Sequence, residues 1–128
     1  MSTYVKAFYK TGAYVGKIHS EDHRGTVVEI LSVIKHPKQG DLHNPNSIDV
    51  PLFHERKALA NHEKAIIPTS MIKPHNAGFL EYKDSLIKAV TEYEESLLES
   101  STAFSDACYN ALQEVKKEYQ LMYRISFP

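Results

Sequence analysis

Thr26-Val27-Val28-Glu29-Ile30-Leu31-Ser32-Val33-Ile34-Lys35 is the stretch on which the fold turns. Val27, Val28, Ile30, Leu31, Val33 and Ile34 are β-branched or aliphatic, and so dense a run reads as a strand. With apolar residues on both of its faces, it is expected to be buried on both sides and central to a sheet.

Upstream, Tyr4 to Tyr9 reads as a first strand of aromatic and β-branched residues. Lys10-Thr11-Gly12 is a turn in which Gly12 accepts positive φ. Residues 13–19 form a second strand, where Gly16 marks a bulge or a close approach. Residues 20–25 make a polar hairpin loop.

Downstream, Pro37 ends the long strand at about His36, because it cannot donate a ladder hydrogen bond. Pro37 to Gly40 suits a tight loop with Gly40 left-handed. Asn44-Pro45-Asn46-Ser47 is another turn. At 52–62 the alternation is lost. Leu52, Phe53, Leu59 and Ala60 fit one side of a short helix started by Pro51, with His54, Glu55, Arg56 and Lys57 outside. Ala65-Ile66-Ile67 is a short strand, Pro68-Thr69-Ser70-Met71 a turn, and Ile72-Lys73-Pro74-His75 an edge strand. Short strands with a turn about every eight to twelve residues predict a small β-barrel.

The C-terminal part changes period. Leu86, Val90, Tyr93 and Leu97 form one helical stripe. Phe104, Cys108, Leu112 (or Ala111), Val115, Tyr119 and Met122 form a second. Ser100-Ser101-Thr102 favours an N-cap between them. The spacing predicts helices over Tyr82–Glu99 and 102–124, paired as an antiparallel hairpin. The fold class is α+β: a barrel over 1–76 with a loop and short-helix insertion at 37–62, then a helical hairpin over 79–126 packed on it.

Charge follows the same division. Residues 1–78 hold ten Lys/Arg and seven Asp/Glu, and residues 79–128 hold five and nine. The whole 128-residue chain has a formal net charge of −1, too little to pull it toward nucleic acid. Cys108 is the single cysteine, which excludes an internal disulfide and suits a reducing compartment. The N-terminus has no apolar signal region, and no apolar run reaches the roughly 20 residues of a membrane span.

The chemistry-bearing side chains gather in His36-Pro37-Lys38-Gln39-Gly40-Asp41-Leu42-His43-Asn44-Pro45 and in Asp49-Val50-Pro51-Leu52-Phe53-His54-Glu55-Arg56-Lys57-Ala58-Leu59-Ala60. His36, Asp41, His43, Asp49, His54 and His62 are of metal-ligating type, but no ligand spacing links them, so no metal and no cofactor is expected. Cys108 lies on an apolar helical stripe, Ser70 in a turn and Ser85 at a helix start. With no nucleophile elbow and no phosphate-cradling loop, no catalytic residue is assigned. Lys6, Lys10 and Lys17 interleaved with Tyr4, Tyr9 and Tyr14 give the alternative reading, a nucleic-acid-binding small barrel.

Val5-Lys6-Ala7-Phe8-Tyr9 resembles the opening strand of the SH3-like barrel, and Ile67-Pro68-Thr69-Ser70-Met71-Ile72-Lys73-Pro74 resembles its 3₁₀ turn and closing strand. The chain has no Trp and no acidic loop after the first strand, the features that bind Pro-rich peptides in SH3 domains. Over nearly its whole length the chain resembles the kinase-associated protein B family of Bacillus-type bacteria. The two central motifs carry that resemblance. So do Val5-Lys6-Ala7-Phe8-Tyr9-Lys10-Thr11-Gly12-Ala13-Tyr14-Val15-Gly16, Met71-Ile72-Lys73-Pro74 and the helix opening Tyr82-Lys83-Asp84-Ser85-Leu86.

The resemblance implies a non-enzymatic accessory that binds and activates a sporulation sensor histidine kinase and so feeds a phosphorelay. The family is also called a lipoprotein. With no signal region, and with Cys108 following Ala107 inside a helix, the expectation is a cytoplasmic protein that reaches the membrane only through its kinase. Residue types, aromatic and arginine, suggest Phe53, His54 and Arg56 as the contact surface, with His36, Asp41 and His43 shaping the neighbouring loop. The helix stripes could also pack across a homodimer.

Overall fold

Tyr4–Tyr9 alternates between the two sides of a sheet, and that alternation is realised in β1, where Val5 and Ala7 face the core. The computed structural model describes residues 4–40, 56–100 and 102–128. β2 (Gly12–Asp22) and β3 (Gly25–Lys35) follow as a long hairpin. β4 (Lys64–Ile67), a 3₁₀ turn (Thr69–Met71) and β5 (Ile72–Pro74) precede α1 (Tyr82–Glu99) and α2 (Ala103–Tyr123). The five strands are antiparallel in the order β4-β3-β2-β1-β5. β4 and β5 are the two edges and are not paired with each other, so the sheet is open. The fold is α+β.

The central hairpin is longer than the sequence suggests. The expected loop over 20–25 is almost wholly strand, and only His23 and Arg24 turn. Asp22 tightens that turn by accepting the Arg24 N–H at 2.7 Å. β2 carries register shifts at Ala13/Tyr14, Val15/Gly16 and Ile18/Ser20, which bend and coil it. At Gly16 a Cβ would lie 2.6 Å from the Glu29 carbonyl oxygen, so the close approach read from the sequence is real. In the first turn the positive φ falls on Lys10 (50°), not on Gly12.

β3 is central, as its composition predicts, but it is not buried on both faces. Thr26, Val28 and Ile30 are buried while Val27 and Leu31 are half-buried. The reason is that α1 packs across β3 from one side only. Ser85 docks the helix there: its Oγ accepts the Val33 N–H at 2.9 Å and donates to the Tyr82 carbonyl at 2.7 Å. α2 begins at a capping box between Thr102 and Ser105 and lies against α1. Lys116 and Gln113 meet Glu94 across the helix pair at 2.6 and 3.0 Å. One core joins sheet and helices through Val5, Val28, Ile30, Ile67, Leu86, Val90, Leu112 and Val115.

Candidate functional site

The chain leaving β3 has no ladder to satisfy its backbone, so its N–H groups must find other acceptors. Residues 36–40 and 56–60 are both irregular, which corrects the short helix expected over 52–62 for its described part. Tyrosine hydroxyls do the work of a neighbouring strand. Tyr93 of α1 accepts the Gln39 N–H at 2.8 Å. Tyr119 of α2 accepts the Ala58 N–H at 2.7 Å, and Tyr14 of β2 accepts the Leu59 N–H at 3.2 Å. Tyr82 of α1 donates to the Leu59 carbonyl at 2.6 Å. Burial pushes all four phenols above their ordinary value, Tyr14 to about 12, so they stay protonated.

His36 is the hinge of this clamp and only 1% exposed. Its Nδ1 lies 2.8 Å from the Pro37 carbonyl, which can only accept, so Nδ1 carries the proton. Nε2 is then the acceptor for the Tyr119 hydroxyl, also at 2.8 Å. Tyr119 thus spends its proton on His36 and its lone pair on Ala58. The imidazole stacks on Tyr93 and meets Tyr119 edge-on. Burial lowers its pKa from 6.5 to about 4, which keeps it neutral.

Gln39 ties the two irregular pieces together. Its Oε1 accepts the Arg56 N–H and its Nε2 donates to the Arg56 carbonyl, each at 2.8 Å. A side-chain amide here replaces the strand that Arg56 lacks. The Gln39 carbonyl receives the buried Cys108 thiol at 3.8 Å. Burial raises that thiol's pKa, which disfavours the thiolate a nucleophile needs.

Beside the clamp lies a cavity of ≈ 220 Å³ between the β1–β2 turn and the 56–59 segment. Tyr9, Tyr14, Pro37 and Leu59 form its apolar walls, and Lys10, Arg56 and Lys57 carry its charge.

Of the contact residues expected from sequence, His36 and Arg56 fall within the described residues. They are brought close through Gln39, with His36 interior and Arg56 half-buried. Asp41, His43, Phe53 and His54 lie outside the described residues, as does Asp49 of the metal reading. Both ring nitrogens of His36 are engaged by protein, and His62 is bonded at Nδ1 to Glu29 at 2.7 Å. Among the described residues, no group of three or more His, Cys, Asp or Glu side chains is arranged to hold a metal. The basic-aromatic set of the nucleic-acid reading is split, because Tyr14 is buried.

What sequence reasoning missed is the polar role of Tyr82, Tyr93 and Tyr119. Two of them sit on predicted apolar stripes. The available signal was the conjunction of eight tyrosines with a Pro- and Gly-broken segment whose backbone needed partners.

A sequence model described as kinase associated protein B matches residues 9–120. That span holds both clamp segments and all four tyrosines. The chain belongs to the kinase-associated protein B family. It is 41% identical over 115 residues to the kinase-associated lipoprotein B of Bacillus subtilis strain 168, covering 90% of each chain. The crystal structure of kinase-associated protein B from Bacillus cereus superposes with a TM-score of 0.80 at 34% identity, over 92% of this chain and 95% of that one. Names in the kinase-associated protein B family describe association with a kinase, and one relative is named a lipoprotein. Among the described residues, no helix is long and apolar enough to cross a membrane.

Proposed function

We propose that this protein is a non-enzymatic accessory that binds a sporulation sensor histidine kinase and activates it, feeding phosphate into a phosphorelay. Family membership over residues 9–120 carries the reading. The mechanism is differential binding: the accessory holds the kinase conformation it binds more tightly and so raises its population. It works in the cytoplasm and meets the membrane through the kinase.

Phe53, His54 and Arg56 form the contact, and His36, Asp41 and His43 shape it. The support is the fixed frame at one end of this segment. His36 acts from the interior, holding Pro37 and Tyr119, while Gln39 pins the Arg56 backbone on both its polar atoms. An arginine held this way loses little freedom on binding, which favours affinity. The strand order and the 3₁₀ turn before β5 support an SH3-like barrel over 1–76, with the hairpin over 79–126 as its buttress. Leu98, Leu121 and Met122, exposed on the helices, support pairing with a second copy there.

Capture of the kinase's cytoplasmic region on immobilised protein tests the contact. Phe53→Ala with Arg56→Ala is expected to abolish retention, and undiminished retention by a folded double variant removes this surface from the proposal.

A further inference from the structure

The cavity beside the clamp shares Arg56 with the proposed kinase contact, and its other walls, Tyr9, Lys10, Tyr14, Pro37, Lys57 and Leu59, lie outside that contact. Lys57 is paired with Glu118 at 3.1 Å. Lys10 and Arg56 have no carboxylate partner among the described residues. The Lys10 ammonium rests over the Tyr9 ring, 5.4 Å from its centre, and its backbone is held at φ 50°. That conformation is costly for a side-chain-bearing residue and sets the direction in which the side chain leaves the turn. Arg56 is fixed twice over, by Gln39 on its backbone and by its own Nε donating to the Gly40 carbonyl at 3.3 Å. Among the described residues its two terminal nitrogens have no acceptor and remain as donors. The Tyr14 hydroxyl accepts from Leu59 and keeps its proton to donate.

We propose that this cavity is a phosphoryl-binding site for a small phosphate monoester. Three arguments converge. Two cations with no carboxylate partner among the described residues match the charge of about −1.5 to −2 on a phosphate monoester, where a carboxylate would leave one cation unmatched. The forked guanidinium and the lysine suit tetrahedral oxyanions, and the donors are held in place before any ligand arrives. The volume of ≈ 220 Å³ is more than a bare carboxylate fills and less than the roughly 300 Å³ at which drug-sized pockets begin. Tyr9, Pro37 and Leu59 offer apolar surface to the organic part of the ester.

The test is an amide-resolved NMR titration of the full chain at pH 7.5 with inorganic phosphate, phenyl phosphate and acetate. Saturable shifts at Lys10, Thr11, Arg56 and Lys57 are expected with the phosphates and not with acetate. Tighter phenyl phosphate identifies an ester as the ligand, and equal affinity identifies free phosphate as the source; both support a phosphoryl site. Lys10→Gln and Arg56→Gln, which act from opposite sides of the cavity, should each weaken phosphate roughly tenfold, the loss of one charge-assisted hydrogen bond. Lys10→Gln leaves the Gln39–Arg56 pairing intact, so it reads binding even if Arg56→Gln perturbs the segment. Shifts that do not saturate, an equal response to acetate, or unchanged affinity in a folded Lys10→Gln variant overturn the proposal. The titration contains no kinase, so its failure leaves the kinase reading standing, and failed kinase capture leaves this site standing.

Discussion

His36 shows how one residue can join two parts of a chain that are far apart in sequence. It sits 83 positions from Tyr119 and is bonded to it at 2.8 Å. Its neutrality has a thermodynamic consequence. The unfolded chain takes up a proton on this ring near 6.5, and the folded chain only near 4. Between those values the unfolded state binds more protons, so stability falls as pH falls. The contribution is fully present above 6.5 and lost by about 4, with a total on the order of 3 kcal/mol. Urea unfolding at pH 7 and at pH 5 should show this loss in the parent. His36→Gln should be less stable at pH 7 and lose less on acidification. An equal pH dependence in both proteins would mean that the ring does not titrate as its burial requires. Glu29 does not confuse the reading. The His19 bond, with that to His62, lowers its pKa below 4.5, so its own stabilising contribution is lost below the window compared here.

At the scale of elements, the decisive contact is α1 across β3. It was legible in part. The apolar stripe of Leu86, Val90, Tyr93 and Leu97 announced a helix that needed a partner, and the apolar density of β3 announced a central strand. Ser85 looked like an ordinary residue near a helix start. In the structure it rescues the Val33 N–H from burial without a partner. Ser85→Ala should therefore cost about 1–3 kcal/mol, the penalty for an unsatisfied buried donor, measurable as a lower urea midpoint at unchanged slope. A loss within a few tenths of a kcal/mol would show that water or a shift of the helix meets the donor instead. Helix limits came out close to expectation because Thr102 caps α2 by local chemistry that a sequence displays. The length of the β2–β3 hairpin did not, because a two-residue turn held by Asp22 and Arg24 was read as part of a polar loop.

For the whole molecule, what sequence conveyed was the strands, the two long helices and the family, but not the irregular backbone of 56–60. What it withheld was how the irregular segment is held. Composition marks Tyr93 and Tyr119 as large and apolar, and only the fold reveals that their hydroxyls face Gln39, Ala58 and His36. Long-range polar pairing of this kind has no period and no fixed spacing, so pattern reading passes over it. The result is a sheet and a helical hairpin locked through one segment. Hydrogen exchange should register that lock. The Ala58 amide, held by Tyr119, should be well protected, and Tyr119→Phe should speed its exchange by about tenfold or more, because the phenyl ring accepts no such bond. Unchanged protection would place its acceptor elsewhere.

The central claim is that this frame serves a kinase. It is tested most directly by the autophosphorylation rate of a purified sporulation sensor histidine kinase in membrane vesicles, titrated with the protein. The account predicts a saturable, severalfold rise in rate that Phe53→Ala with Arg56→Ala removes. A rate that stays flat while the folded protein is taken to saturating excess would contradict it.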